Sequence, residues 1–451
     1  MPPGAEERGR IDFAMITSQK HRTETPANAV LATLDNGVRV VVFPLPHLAT
    51  ANVSVFVRSG SQHESPRRNG ISHVMEHMAF KGTRTRDCQQ INLDAERLGA
   101  EVNAHTDKDH TAFHMRGHAR DAATFIAMLG DIVQHSIFPE DELVRERQVL
   151  LQEYAGDEDD PMATAFKLFD RACYGEHSAA QPVIGSRANI RRFTRDDLLA
   201  YVAGQYTGLN TIVGIAGCVE PDLTVAAAQA AFGNMPRGEA NRIAAPSYVG
   251  GVRSRHVPGG DQVHIVLGFP VPALGDEHDA FRVAAALFGE GMSSPLLDRV
   301  RERRALVYHA DCYTDVRDVF GQFIVEASTM PEHLDEFCVE LTRLLHQQAE
   351  VIAPVDLERA RNQVTVRTLF GQEAPEERLE RVAADLFALG RMHTQEELLA
   401  GIAAVSGEQV REAFAQMLGA GVAVGLAGKI AKGAEQRVAR IAGSARACTA
   451  T

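Results

Sequence analysis

The sequence predicts an α+β protein made of two copies of one domain. Three observations lead there. The chain has 451 residues, more than one hydrophobic core serves, and two units of roughly 200 residues fit it better. Short apolar runs of strand character alternate with longer segments of helical period. The chain also repeats itself: TIVGIAG at 211–217 matches VAVGLAG at 422–428, 211 positions on, and VSVFV at 53–57 sits opposite VHIVL at 263–267, 210 positions on.

Taken in order, residues 1–27 are polar and read as a mobile tail. VRVVVF at 38–43 reads as a buried strand behind the turn signal Asn36-Gly37. NVSVFVR at 52–58 alternates and reads as a second strand. The loop SGSQHESPRRNG leads into a helix over 70–80. Asp87 is placed to cap a helix running to about Leu98, with Gly99 just past its end. Residues 100–105 and 110–115 read as two strands around the turn 106–109. Amphipathic helices follow at 119–135 and 139–156. Thr194 opens a capping box into a helix over 195–204, before a strand at 209–217 and a helix at 220–232. These elements make a first domain over 28–235.

The stretch from Gly233 is rich in Gly, Pro and Arg, and 236–260 reads as a linker. The second domain, 261–430, opens on a strand at 263–269. Helices are expected at 279–288, 295–304, 331–348, 354–369 and 375–389, then one capped by Ser406, then a strand at 422–428. Residues 431–451 read as a weakly apolar tail.

The net charge of −13, from 46 basic and 59 acidic residues, argues against a nucleic-acid partner and leans toward a cationic one. The six cysteines are scattered without a C-x-x-C pair, as free thiols of a reducing compartment are. The first residues hold no apolar h-region, and no stretch reaches the ~18 apolar residues of a membrane span. The expected location is cytoplasmic, with no membrane partner. The end, Cys448-Thr-Ala-Thr, lacks the aliphatic middle of a prenylation box.

The chemistry concentrates in GISHVMEHMAF at 70–80, which contains H-x-x-E-H. His73 and His77, four apart on a helix, share a face and can hold one metal ion. Glu76 lies one residue off that pair and can reach a water on the metal. Two neutral imidazoles and one oxygen ligand leave a fourth position for water. By chance such a motif arises on the order of once in ten chains of this composition, so a third ligand must be found. The helix at 139–156 offers Glu142, Glu146 and Glu153, and spacing leaves all three open. A rival cluster is His105, His110, His114 and His118. On one extended strand, positions four apart lie about 13 Å apart, too far for a shared ion, so polar strand positions are expected there.

The repeat sharpens the contrast. With the offset of 211, His73 falls on Ala284, Glu76 on Leu287, His77 on Phe288, Glu146 on Leu357 and Glu153 on Val364. Every polar position becomes apolar in the second copy. Charges placed where the copy has core need partners, which points to a metal.

These segments resemble the pitrilysin-type metallopeptidases, the inverted zincins, and in particular half-size members related to mitochondrial processing peptidase. The residues that carry the resemblance are HVMEH at 73–77, ERQVLLQE at 146–153, NAHTDKDHTAFH at 103–114, FTRDDLLAYVAGQY at 193–206 and RERRALVY at 301–308. It spans most of 28–430. It implies two homologous domains, each a mostly antiparallel sheet covered by helices, with only the first catalytic. It also implies one Zn²⁺ per chain on His73, His77 and Glu153, with Glu146 orienting a ligand histidine. Glu76 would be general base and acid, and Arg301 and Tyr308 would help fix the substrate carbonyl. Ala305 stands where the family has Gly. Asn103 and Ala104 would pair with a peptide substrate as an added strand.

The expected activity is therefore zinc-dependent cleavage of extended peptides or unfolded segments inside a closed chamber. The alternative is a non-catalytic partner subunit of a processing-peptidase-like heterodimer. Because this chain carries both the metal set and the Arg/Tyr pair, a homodimer is expected, with a heterodimer with a metal-free homologue second.

Overall fold

The structure, a computed structural model, describes residues 29–275 and 278–443. The N-terminal tail and the Cys448 segment lie outside the described residues.

The first half holds strands β1 (Val30–Thr33), β2 (Arg39–Pro44), β3 (Thr50–Val57), β4 (Glu101–Thr106), β5 (Thr111–His118) and β6 (Thr211–Gly217). They form one sheet in the order β1-β2-β6-β3-β5-β4, antiparallel except for β2 with β6. The second half holds β7 (Gly251–His256), β8 (Val263–Val271), β9 (Val307–Val316), β10 (Gly321–Thr329) and β11 (Ala423–Gly428). Their order is β7-β11-β8-β10-β9, and only β7 with β11 is parallel. Strand for strand, β7-β11-β8-β10-β9 repeats β2-β6-β3-β5-β4, parallel pair included. The two domains are copies, each a mostly antiparallel sheet covered by helices.

That correspondence corrects the linker. Residues 251–256 are the counterpart of β2, although Gly-Val-Arg-Ser-Arg-His shows no apolar run. An edge strand with one paired side and exposed polar side chains carries no such signal. The C-terminal stretch likewise includes a helix, Ala434–Gly443, with Ala434 and Val438 buried in the second core. The helix expected at 295–304 is a short turn, Pro295–Leu297, running into a π-helical turn, Asp298–Arg303.

The halves also exchange a helix. Pro161–Tyr174, from the first half, lies on the second sheet, where Ala165 and Phe169 pack with Val266, Ile324, Ala423 and Ala427. Pro375–Leu389, from the second half, lies on the first sheet, where Leu379, Val382 and Leu386 pack with Val41, Phe43, Phe56 and Ile212. The repeated glycine of TIVG and VAVG makes room for this. A Cβ at Gly425 would lie 2.1 Å from the Ala165 carbonyl oxygen, and one at Gly214 would lie 2.9 Å from Leu379 Cδ2.

The helices Glu140–Asp159 and Pro354–Glu373 are both 20 residues long and start 214 positions apart. In that register the buried Glu146 and Leu150 correspond to the buried Ala360 and Val364. Glu153 then corresponds to Arg367, paired with Glu290 at 2.8 Å, and not to Val364. Small length changes between strands and helices shift the offset. No helix among the described residues is long and apolar enough to cross a membrane.

Candidate active site

The helix Ile71–Ala79 buries Ile71, Val74, Met75 and Met78 against the first sheet, leaving His73, Glu76 and His77 on its other side. Its start is fixed by two features. Gly70 adopts φ 97° and lies so close to Gly185 that a Cβ would meet the Gly185 Cα at 2.8 Å. The Glu64 carboxylate, 4% exposed, accepts from Gly70 N at 2.7 Å, Ser72 N at 2.8 Å, Ser72 Oγ at 2.6 Å and Asn69 Nδ2 at 3.0 Å. It thereby satisfies backbone donors that a helix start leaves open. In the sequence this stretch shows only the composition of a loop. An acid a few residues before a Gly-initiated helix was the available signal.

The long helix Glu140–Asp159 crosses behind and brings one of its acids, Glu153, to the two imidazoles. His77 Nε2 lies 3.5 Å from Glu153 Oε2, and His73 Nε2 lies 3.9 Å from the same oxygen. Ligands about 2.1 Å from a tetrahedral ion stand roughly 3.4 Å apart, so these three atoms fit one Zn²⁺ with small adjustment. Glu146 is buried and accepts from His77 Nδ1 at 2.9 Å and from Lys81 Nζ at 2.8 Å. It therefore holds the imidazole with Nε2 free toward the site. Burial pushes the Glu146 carboxyl up, but the bonds from Lys81 and His77 outweigh it and hold it below its usual value. Glu142 pairs with Arg145 on the exposed side and takes no part. Burial, with His77 beside it, lowers the His73 imidazole to about 4, so it is neutral and ready to donate a lone pair near neutral pH.

Glu76 lies beside this set and accepts from Thr106 Oγ1 at 2.6 Å. Burial raises its carboxyl above the usual range even against that bond. A raised carboxylate is a better proton acceptor near neutral pH. Thr106 ends β4, which is the free edge of the first sheet. Asn103 and Ala104 lie along that edge, Asn103 exposed and Ala104 half-buried. A cavity of about 510 Å³ joins His73, Glu76 and Glu153 to Ala104 and Thr106 and runs on toward Phe166 and Lys167.

Arg301 and Tyr308 are brought together, but not to the metal set. The Arg301 guanidinium lies 5.8 Å from the centre of the Tyr308 ring. Tyr308, 81% exposed, stands on β9, the second-half counterpart of β4. The two line a separate depression with Ala305 and Thr329. Ala305 adopts φ 48°, the left-handed conformation that favours the glycine of the family pattern.

The expectation for the rival histidines needs correction. His118 stays apart and accepts from the Arg120 N–H. His105, His110 and His114 do not. His105 faces Ala112 across the β4–β5 hairpin, so His110 and His114 are its diagonal neighbours on the same face. Ring centres lie 5.5 Å apart for His105 and His110, and 5.0 Å for His105 and His114. Positions four apart on one strand stay far from each other, but the hairpin brings His105 of β4 between His110 and His114 from across the pair.

A duplicated two-domain fold with an inverted His/Glu set in the first copy only defines a class of metallopeptidase. Comparison agrees. The family described as "Insulinase (Peptidase family M16)" matches residues 39–187, and "Peptidase M16 inactive domain" matches residues 192–364. The chain is 29% identical to an uncharacterized zinc protease of Rickettsia bellii, over 82% of this chain and 90% of that protein. It is 30% identical to an uncharacterized zinc protease of Mycobacterium bovis, over 86% of this chain and 90% of that protein. A solved protease from Helicobacter pylori superposes with a TM-score of 0.80 at 21% identity, covering 89% of this chain and 99% of that one. The chain belongs to peptidase family M16.

Proposed function

We propose that this chain is a zinc-dependent endopeptidase acting on extended peptides or unfolded segments. The observation that carries the reading is the convergence of His73 Nε2 and His77 Nε2 on Glu153 Oε2, with the Glu76 carboxylate beside them. His73, His77 and Glu153 would hold a Zn²⁺ ion, which would supply a Lewis acid to polarise the scissile carbonyl and acidify water. Glu76 takes the proton from the attacking water as the water oxygen bonds to the carbonyl carbon. It then gives the proton to the amide nitrogen as the C–N bond breaks. Thr106 donates to Glu76 Oε2 and so turns the carboxylate toward the site. The free edge of β4 at Asn103 and Ala104 pairs with the substrate backbone, which requires an extended substrate.

The test is metal content together with cleavage of an unstructured peptide. Glu76→Gln should keep its zinc and lose turnover by 10³-fold or more, since the base is not a ligand. Wild-type protein that binds zinc yet cleaves no unstructured peptide overturns the enzyme reading in favour of a partner subunit.

The site is completed by a second copy in this reading. Arg301 and Tyr308 line their own depression, apart from their own metal set, and Tyr308 stands in solvent. A homodimer closing the chamber lets each second domain serve the other chain's metal. Mixing inactive Glu76→Gln with inactive Tyr308→Phe, under conditions of subunit exchange, should restore activity, because one site of the mixed dimer is intact. A mixture that exchanges and stays dead rules out sharing in trans.

A further inference from the structure

On the face of the first sheet away from the metal helix, a second group of donors converges. His110 Nε2 lies 3.1 Å from Glu380 Oε2, and His105 Nε2 lies 3.4 Å from Glu380 Oε1. These separations are those of ligands around one tetrahedral ion, roughly 3.4 Å, and all three side chains offer a ligand atom within 4.8 Å of the others. The far nitrogen of each ring is already held. His110 Nδ1 lies 3.0 Å from Asp109 Oδ1, and His105 Nδ1 lies 3.1 Å from His114 Nε2. His114 is in turn held through Nδ1 by Ser54 Oγ at 2.8 Å. Metal-binding imidazoles characteristically have this outer support, which fixes their orientation. Glu380 Oε1 is buried and makes no hydrogen bond, with the imidazole nitrogens of His105 and His114 facing it at 3.4 Å and 3.7 Å.

We propose that His105, His110 and Glu380 form a second metal site, separate from the His73/His77/Glu153 set, for a divalent ion of borderline softness such as Zn²⁺. Two imidazoles and one carboxylate suit that class of ion and leave one position for water. The two sites lie on opposite faces of β4. Thr106 reaches Glu76 on one face, and His105 reaches Glu380 on the other. The second site joins the β4–β5 hairpin of the first domain to the exchanged helix Pro375–Leu389 of the second. Its role is to clamp that junction beside the substrate strand. The wall opens onto a cavity of about 1000 Å³ lined also by Glu101, Asp107, Glu376 and Glu377, through which an ion can enter.

The test counts zinc by elemental analysis after dialysis of the full chain against a few-fold excess of Zn²⁺. Wild type should hold two per chain, and His73→Ala/His77→Ala one. His105→Ala/Glu380→Gln should also hold one, and the combination of all four substitutions none. Zinc should raise the melting temperature of His73→Ala/His77→Ala, and adding Glu380→Gln should abolish the rise. Co²⁺ bound to His73→Ala/His77→Ala should show the visible absorption of a tetrahedral nitrogen/oxygen site. One zinc in wild type and none in His73→Ala/His77→Ala overturns the proposal. So does one zinc in His73→Ala/His77→Ala that survives His105→Ala/Glu380→Gln, which places the ion elsewhere. If His73→Ala/His77→Ala keeps every zinc that wild type holds and only the His105/Glu380 substitutions remove it, the catalytic reading fails while this site stands. Should the His105 substitution impair folding, Glu380→Gln alone, a change of one atom, gives the same readout.

Discussion

Removing the Glu64 carboxylate should release the start of the metal helix. Four donors end on this one side chain: the backbone N–H groups of Gly70 and Ser72, the Ser72 hydroxyl and the Asn69 amide. In Glu64→Ala the hydroxyl can turn to Tyr201, 2.7 Å away, and Asn69 keeps the Pro182 carbonyl at 2.9 Å. The two backbone donors have no substitute in a site that is 4% exposed at Glu64. At about 1–3 kcal/mol for each buried donor left unmade, the loss is roughly 2–6 kcal/mol. Relief from burying a carboxyl offsets part of it, since burial already raises that group, and a net loss of about 1–4 kcal/mol remains. Glu64→Gln keeps the shape but turns an N–H₂ toward other donors, so it should fall between wild type and Glu64→Ala. The assay is urea unfolding combined with zinc competition against a chromogenic chelator. His73 sits in the first turn of the helix, so zinc affinity should drop by 10-fold or more along with stability. A Glu64→Ala protein within about 0.5 kcal/mol of wild type with unchanged zinc affinity would falsify the capping argument.

Three further outcomes follow from single side chains. Glu153→Ala should lower zinc affinity by more than Glu146→Ala, whose loss should stay within roughly 10–100-fold, as for an orienting partner; equal losses in a chelator titration would reverse the two roles. Ala305→Gly should stabilise the chain by roughly 0.5–1 kcal/mol, because φ 48° costs an alanine but not a glycine, and a fall in the urea midpoint refutes it. His63, buried near Asp318 and Arg58, is lowered to about 4, mainly by burial. The unfolded chain, with an imidazole near ~6.5, therefore binds the proton first. Stability from this group is fully present above pH ~6.5 and is lost as pH falls toward 4, by up to about 3 kcal/mol. The difference between wild type and His63→Gln across that range measures it, and a difference that does not change with pH rules it out.

The parts of this molecule legible in its sequence are those carried by local patterns. His73, Glu76 and His77 stood out because helical spacing alone puts them on one side. The duplication stood out because TIVGIAG and VAVGLAG are buried central strands whose composition is tightly restricted. Glu153 did not follow from spacing, which left Glu142 and Glu146 equal to it; the resemblance singled it out, and in the fold Glu146 points at His77 Nδ1 and Glu142 at Arg145. The strand Gly251–His256 was hidden because an exposed edge strand needs no apolar run. The helix exchange was hidden for a different reason. Periodicity shows that Pro375–Leu389 has an apolar face, but not which sheet receives it. Glu380 therefore carried no signal at all, since its neighbours come from 270 residues away.

That exchange bears on how the Glu76 carboxylate is positioned. Glu76 is oriented by Thr106, at the end of β4, where the chain turns into 107–110. The turn is not left to itself. Arg317 of the second half reaches Asp107 and Asp109, each at 2.9 Å, and Lys108 reaches Asp170 on the exchanged helix of the first half at 2.7 Å. Asp109 is buried, yet Arg317 and His110 outweigh that burial and hold its carboxyl far below the usual range, so it stays charged. A buried charge pair is costly to separate, so the hairpin moves with the second domain and not independently of it. The second domain, which has no H-x-x-E-H of its own, thus holds the strand from which Thr106 sets Glu76. Through β9 it also presents Arg301 and Tyr308 on the edge equivalent to β4. A change in how the halves meet reaches Glu76 through Thr106 and the free sheet edge through Asn103 and Ala104, along a single strand of six residues.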